Sequence, residues 1–305
     1  MDSCFSAAQV QERLERMTRL ALGTVQFGLR YGIANQGGQV SRPEAKSMLR
    51  FALANDIDTL DTAIAYGSSE VCLGEAGMQG FKLVTKLPKV PNDCEDVKRW
   101  IQEQVIASLS RLGVTSVYGL LLHQSDQLLG SNGTLVFQAL QELKDNGQVQ
   151  KVGVSIYSPA ELDLLIPKYR FDLVQAPFNL VDRRLYSTGW MQRLKDDDIE
   201  IHTRSVFLQG LLLMSQADIP YMFSPWNELW EKWYRWLSEN EVSAVQACLA
   251  FSLSFPEIDR VVIGADSQRQ LAQVVSAANK SLDVYIPDLH SNDQNLINPA
   301  KWNPE

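Results

Sequence analysis

The stretch "DTLDTAIAYGSSEVCLG", Asp58 to Gly74, puts an aspartate, Asp61, at the end of an apolar run and a tyrosine, Tyr66, in the turn that follows. A lysine, Lys86, closes the next apolar run, "KLVTKLP". A histidine, His123, closes the one after it, "VYGLLLHQSD". Burying a carboxylate costs several kcal/mol unless a partner compensates it, so Asp61 calls for a cation, and Lys86 is the candidate. A tyrosine titrates near ~10, and a neighbouring ammonium favours the phenolate and lowers that value. On this reading Lys86 leans on the Tyr66 hydroxyl and tunes it for proton transfer near neutrality. A histidine beside them can hydrogen-bond a carbonyl oxygen and orient it. The set suits an oxygen that gains negative charge and then a proton, as a carbonyl oxygen does when its carbon accepts hydride. Taken singly, each residue also has a structural reading. Asp61 could be a turn residue, Tyr66 a packing residue, Lys86 a snorkelling surface lysine and His123 a satisfied core histidine.

The joint reading needs an architecture that gathers three strand ends on one rim. Eight short apolar runs read as strands: Leu20–Gly23, Thr59–Thr62, Lys82–Leu87, Val117–His123, Val152–Ile156, Leu173–Pro177, Glu200–Val206 and Arg260–Gly264. Helical patterns alternate with them: Pro43–Asn55, Ser69–Ala76, Cys94–Leu112, Leu135–Asn146, Pro159–Tyr169, Thr188–Asp197, Val242–Phe255 and Gln268–Ala278. Pro43 suits a first-turn position, "SPAEL" fits a capping box of Ser158 and Glu161, and Gly147 closes "KDNGQ". Alternation of this kind without a composition break predicts a single (β/α)8 TIM barrel, whose active sites lie at the carboxyl ends of the strands. A doubly wound sheet would put a GxGxxG turn after an early strand, and the sequence has neither that nor a P-loop.

The chain has 305 residues, 45% hydrophobic, and a formal net charge of -8. It shows no basic cluster for nucleic acid and no apolar run of membrane-spanning length. No secretory signal is visible, and Cys4, Cys72, Cys94 and Cys248 are scattered without CxxC spacing, so a cytoplasmic protein with reduced thiols is expected. His123, His202 and His290 have no partner at metal-ligand spacing, and no metal site is expected.

The segments "LDTAIAYGSSEVCLG", "VTKLPK", "LLLHQSD", "KVGVSIYS" and "VVIGADSQRQL" resemble the aldo-keto reductases, which are NADP(H)-dependent (β/α)8 oxidoreductases, over roughly Leu20 to Ala278. The resemblance implies that Tyr66 donates the proton, Lys86 and Asp61 tune it, and His123 orients the carbonyl. It implies a nicotinamide cofactor across the same rim, NADP(H) with NAD(H) not excluded. The matching positions are Gly23, Thr24 and Asp61, then Ser155 and Gln175 for the carboxamide. Arg204 takes the place of the family's stacking aromatic, since a guanidinium plane can cover a ring face. Ser205, Phe207, Leu208 and Gly210 follow for the pyrophosphate. Gly264, Ser267 and Gln270 lie at the start of the last helix, where a helix N-terminus favours phosphate. Asp266, in the same turn, would oppose a 2′-phosphate. Where the family commonly has Asn after the serine, Ile156 stands here.

The expected substrate is a small aldehyde or ketone, a sugar-derived carbonyl among the candidates. Two other functions fit the same residues: a lyase or isomerase using Lys86 as a Schiff-base amine, and a cofactor-sensing barrel with little turnover. The expected layout is an N-terminal extension (1–17), the barrel (18–283) and a C-terminal tail (284–305). In "SPWNELWEKWYRWLSENE", Trp226, Trp230, Trp233 and Trp236 recur at helical spacing. That stripe either packs a helix on the barrel or walls the mouth for a sugar or flat ring.

Overall fold

The computed structural model describes residues 17–35, 37–282 and 284–302. Eight parallel strands close in sequence order: β1 (Leu20–Gly23), β2 (Thr59–Asp61), β3 (Lys82–Leu87), β4 (Val117–Leu122), β5 (Val149–Ser155), β6 (Leu173–Pro177), β7 (Glu200–Arg204) and β8 (Arg260–Ile263). Register sets the rim. Gly23 pairs with Asp61, Lys86 with Leu121, Ser155 with Gln175 and Pro177 with Arg204, so the functional positions fall at neighbouring strand ends. A small apolar cluster of Val84, Leu121 and Leu173 is separate from the much larger core that the strands share with the helices.

The main helices are α1 (Arg42–Leu53), α2 (Ser69–Ala76), α3 (Val97–Leu112), α4 (Gly133–Asp145), α5 (Ala160–Leu165), α6 (Trp190–Asp196), α7 (Asn227–Glu239), α8 (Ala244–Leu253) and α9 (Gln268–Ala278). Their ends follow local chemistry. Ser41, Asp96 and Ser243 cap α1, α3 and α8 by accepting from the amides of Glu44, Arg99 and Gln246. These caps start α3 and α8 later than the apolar periodicity alone suggests. Glu161 reaches back to the Ser158 amide at 2.7 Å, the capping-box contact. The helix expected to run to Tyr169 stops at Leu165, because Pro167 offers no amide to continue the ladder.

The barrel floor is closed by charge. Glu200 accepts from Tyr118 and lies against Lys151 and His202. Burial alone would raise its pKa, but the bonds from His202, Lys151 and Tyr118 hold it well below the usual carboxylate range.

The segment expected as a C-terminal tail is packed. Leu289, Leu296, Ile297 and Trp302 are buried, and Trp302 meets Phe223 edge-on at 4.9 Å. Of the expected N-terminal extension only Met17 lies among the described residues, and it is buried in the core. The tryptophan stripe packs rather than walls the mouth. Trp230 and Trp233 are buried, their indole nitrogens donate to Phe223 and Leu212 carbonyls, and Trp236 stacks on Trp233. No tryptophan is among the described residues lining the mouth.

Candidate active site

Asp61 ends β2 and Lys86 lies near the end of β3, and the two meet inside the mouth. Lys86 Nζ donates to Asp61 Oδ1 at 2.5 Å and to the Thr62 carbonyl at 2.9 Å, with the lysine side chain only 1% exposed. The other carboxylate oxygen, Asp61 Oδ2, accepts from Gln175 Nε2 at 2.6 Å. Asp61 therefore has a charged partner on one side and an amide on the other, which is how a buried carboxylate is tolerated. Burial lowers the Lys86 pKa, and the contact with Asp61 restores part of it.

Tyr66 is fixed by the turn between β2 and α2. Its amide donates to Ala63 O, and its carbonyl accepts from the Ser69 amide, each at 3.0 Å. Ser69 in turn donates its hydroxyl to Thr24 O at 2.8 Å, which ties the turn to the end of β1. The turn also abuts Gly28, where a Cβ would lie 1.7 Å from the Tyr66 carbonyl oxygen, so only glycine fits. His123, directly after β4, donates its amide to Leu87 O at 2.9 Å. Its ring meets Tyr66 edge-on with centroids 5.7 Å apart.

The electrostatics differ from the expectation in one respect. Lys86 Nζ sits 5.1 Å from the Tyr66 ring centroid, and its hydrogen bonds go to Asp61 and Thr62 rather than to the phenol. Burial, then the Asp61 charge, hold the Tyr66 pKa above its ordinary value, and Arg204 offsets only part of this. Tyr66 therefore stays a protonated phenol at neutral pH. Burial, helped by the charges of Lys86 and Arg204, pushes His123 down to about 4, so it is neutral at the same pH.

These four side chains line one end of an open cleft of about 980 Å³. Of the other expected residues, Gly23, Thr24, Ser155, Gln175, Arg204, Ser205, Phe207, Gly210, Gly264 and Gln270 also line it. Leu208 and Ser267 do not. Leu208 is fully buried in the core, and Ser267 uses its hydroxyl to cap α9. Arg204 spreads its guanidinium 4.8 Å from the Tyr157 ring centroid and donates to Ile156 O and Ser205 Oγ. Beyond it the backbone of Ser205, Leu208, Gln209 and Gly210 takes positive φ, a run of left-handed turns that carries the chain along the cleft wall.

Sequence reasoning missed Gln26, Tyr31, Asn35 and Met214, all of which line the cleft. Tyr31 and Asn35 fall in "GLRYGIANQGG", whose glycines and aromatic mark a loop next to β1. Gln26 lies in a single helical turn, Val25–Gly28, and nothing in its spacing separates it from a packing residue.

The dimensions and chemistry suit a dinucleotide. The cleft, of about 980 Å³, brings the proton-handling groups together with polar lining residues and buries an unpartnered acceptor, Gln26 Oε1, in its wall. Among the described residues no group of three or more His, Cys, Asp or Glu could hold a metal ion, and no helix is long and apolar enough to cross a membrane.

Residues 19–285 match the model of the Aldo/keto reductase family. The chain is 25% identical over 286 residues to the uncharacterized oxidoreductase YqkF of Bacillus subtilis, covering 86% of this chain and 92% of that protein. It is 27% identical over 206 residues to the aldo-keto reductase YhdN of the same organism, covering 64% of this chain and 60% of the relative. Among solved structures, an aldo-keto reductase from Bacillus halodurans in its holo form superposes with a TM-score of 0.69 at 22% identity, covering 86% of this chain and 87% of the other.

Proposed function

The chain belongs to the aldo/keto reductase family of NAD(P)H-dependent carbonyl reductases, and from that premise we propose that Tyr66 is the proton donor of the reaction. A nicotinamide cofactor, when bound, would supply hydride to the carbonyl carbon. Tyr66, protonated at neutral pH, donates its proton to the carbonyl oxygen as negative charge develops there. His123, neutral and edge-on to Tyr66, hydrogen-bonds the same oxygen and sets the orientation of the carbonyl. Lys86 faces the Tyr66 ring and stabilises the phenolate left behind, while Asp61 holds Lys86 in place. Gln175 fixes the second oxygen of Asp61, and Ser155 lies beside Gln175, so the two sit at the nicotinamide end of the cleft. Arg204, Ser205, Phe207 and Gly210 line the same cleft and would hold the diphosphate.

The observation that carries this reading is the buried Lys86–Asp61 pair beside Tyr66, which meets His123 edge-on, all four lining one cleft. The substrate is an aldehyde or ketone small enough to sit among Tyr31, Tyr157, Leu213 and Met214, a mixed aromatic and aliphatic surface that accepts a sugar-derived carbonyl as well as an apolar one. Schiff-base chemistry is disfavoured, because Lys86 is sealed from solvent and its donors are engaged by Asp61 and Thr62. The test is consumption of NADH and NADPH against a panel of aldehydes, ketones and keto-sugars, with Tyr66→Phe beside the wild type. Carbonyl-dependent oxidation that Tyr66→Phe abolishes supports the assignment. Dinucleotide binding without turnover of any carbonyl would favour a sensor instead.

A further inference from the structure

The cleft has two chemically unlike ends. Its lining cations, Lys86 and Arg204, belong to the reaction end. Lys86 is paired with Asp61, and the Arg204 charge acts on Tyr66 and His123. The opposite end, between the turn Val25–Gly28 and the start of α9, is lined by Gln26, Asn35, Gly264, Asp266, Gln270 and Gln273. None of these is a cation. Arg269, the exposed neighbour of Gln270, is not among the described lining residues.

What this end offers is hydrogen-bond acceptors. Asp266 Oδ1 accepts from Asn35 Nδ2 at 3.1 Å, while Oδ2 accepts no hydrogen bond among the described residues. Gln26, only 9% exposed, buries its Oε1 without a partner. Three of the amide donors that would attract a phosphate are already engaged. The amide of Asp266 donates to Gln270 Oε1 at 2.7 Å, that of Gln268 to Glu44 Oε1 at 2.6 Å and that of Gln270 to Ser267 Oγ at 3.2 Å. A helix N-terminus attracts phosphate through free amides and its positive dipole end. Here the Gln268 and Gln270 amides are taken by side chains, and the Glu44 carboxylate already sits against the dipole.

A dinucleotide with its nicotinamide beside Tyr66 must lay its adenosine ribose toward the other end. Resting on the dinucleotide reading above, we propose that Asp266 is a specificity-determining residue that selects NAD(H) over NADP(H). Its free carboxylate oxygen, with the unpartnered Gln26 Oε1 a second acceptor in the same lining, accepts from the donors that the unphosphorylated adenosine presents, its ribose hydroxyls first. A 2′-phosphate in the same place sets a second anion against Asp266 with no lining cation to offset it, and like charges brought together across a binding surface are strongly unfavourable. Acidic side chains discriminate between the two cofactors by the same chemistry in sites of unrelated fold. This reverses the NADP(H) expectation drawn from resemblance alone.

The experiment is calorimetric titration of the full chain with NADH and with NADPH, for the wild type, Asp266→Asn and Asp266→Arg. The proposal expects the wild type to bind NADH at least about tenfold more tightly than NADPH, a difference of about 1.4 kcal/mol. Asp266→Asn should narrow that ratio and Asp266→Arg should invert it. If the bulkier variant does not fold, the isosteric Asp266→Asn carries the test. A wild type that binds NADPH as tightly as NADH, or a ratio unmoved by Asp266→Asn, overturns the proposal while leaving the dinucleotide site intact. Binding of neither cofactor removes the site itself, and this inference with it.

Discussion

Replacing Asp61 with asparagine changes a charge without changing a shape, and it isolates what holds Lys86 in place. Lys86 is 1% exposed and has two partners, Asp61 Oδ1 at 2.5 Å and the Thr62 carbonyl at 2.9 Å. Removing one member of a buried pair costs about 3–5 kcal/mol, because the remaining charge is left uncompensated. Deprotonation sets a ceiling. A free lysine titrates near ~10.4, so shedding its proton at neutral pH limits the loss to about 4.6 kcal/mol. Gln175 Nε2 also loses a charged acceptor at 2.6 Å. Burial already lowers the Lys86 pKa, and Asp61 raises it back, so Asp61→Asn lowers it further. A lysine with a depressed folded pKa binds fewer protons folded than unfolded. Its destabilisation is therefore fullest below the folded pKa and shrinks as pH rises toward the unfolded value. Urea unfolding followed by tryptophan fluorescence should show Asp61→Asn losing about 3–5 kcal/mol at neutral pH and regaining part of it under alkaline conditions. The double variant Asp61→Asn with Lys86→Met should be more stable than Asp61→Asn alone, because no charge remains buried. A loss under about 1 kcal/mol with no pH dependence, the range of an exposed pair, would refute the reasoning.

Three further expectations concern the same mouth. His123 is held down at about 4, so between the unfolded value near ~6.5 and that point the unfolded chain binds an extra proton, and stability falls as pH falls. The wild type should lose up to about 3 kcal/mol across that window relative to His123→Gln, and identical pH profiles for the two would contradict the buried neutral imidazole. Arg204→Ala should raise the dinucleotide Kd by about tenfold, since the guanidinium lies against Tyr157 on the cleft wall, and an unchanged Kd removes Arg204 from the site. Gly28→Ala would force a Cβ to 1.7 Å from the Tyr66 carbonyl and 2.5 Å from the Ser69 amide, so it should destabilise by about 3 kcal/mol or more, and a wild-type Tm would show that the turn yields.

The barrel was legible because its strands are short apolar runs ended by polar residues, and seven of the eight, all but β5, begin where the sequence pattern says. Helix ends were less legible. A cap such as Asp96 or Ser243 outweighs apolar periodicity, and Pro167 halts α5 by removing a donor that periodicity does not register. At the site, Asp61, Tyr66, Lys86 and His123 could be read because their types are unusual at strand ends. Asn35 could not, since an amide in a loop after β1 looks like any solvated residue until the fold brings it against Asp266, and Gln26 could not, since nothing in its helical turn marks it. The sign of the Tyr66 pKa shift was also beyond sequence. A turn tyrosine and a strand-end lysine can lie close without hydrogen-bonding, and burial with the Asp61 charge outweighs the opposing charge of Arg204. The tryptophan stripe allowed two readings, a packing face or a wall at the mouth, and the packing one holds, since the Trp230 and Trp233 indoles donate to carbonyls beneath α7.

The most direct test of the central claim is kcat for carbonyl reduction in Tyr66→Phe, Lys86→Met and the double variant. Tyr66 holds the proton, and Lys86 stabilises the phenolate that remains once the proton has left, so the two act as one device. Each single change should cost roughly 100-fold or more, the scale of a general-acid contribution. The double variant should be hardly worse than either single, because groups that work as a unit are strongly non-additive. Fully additive losses, or a Tyr66→Phe variant with near-normal kcat, would contradict the mechanism.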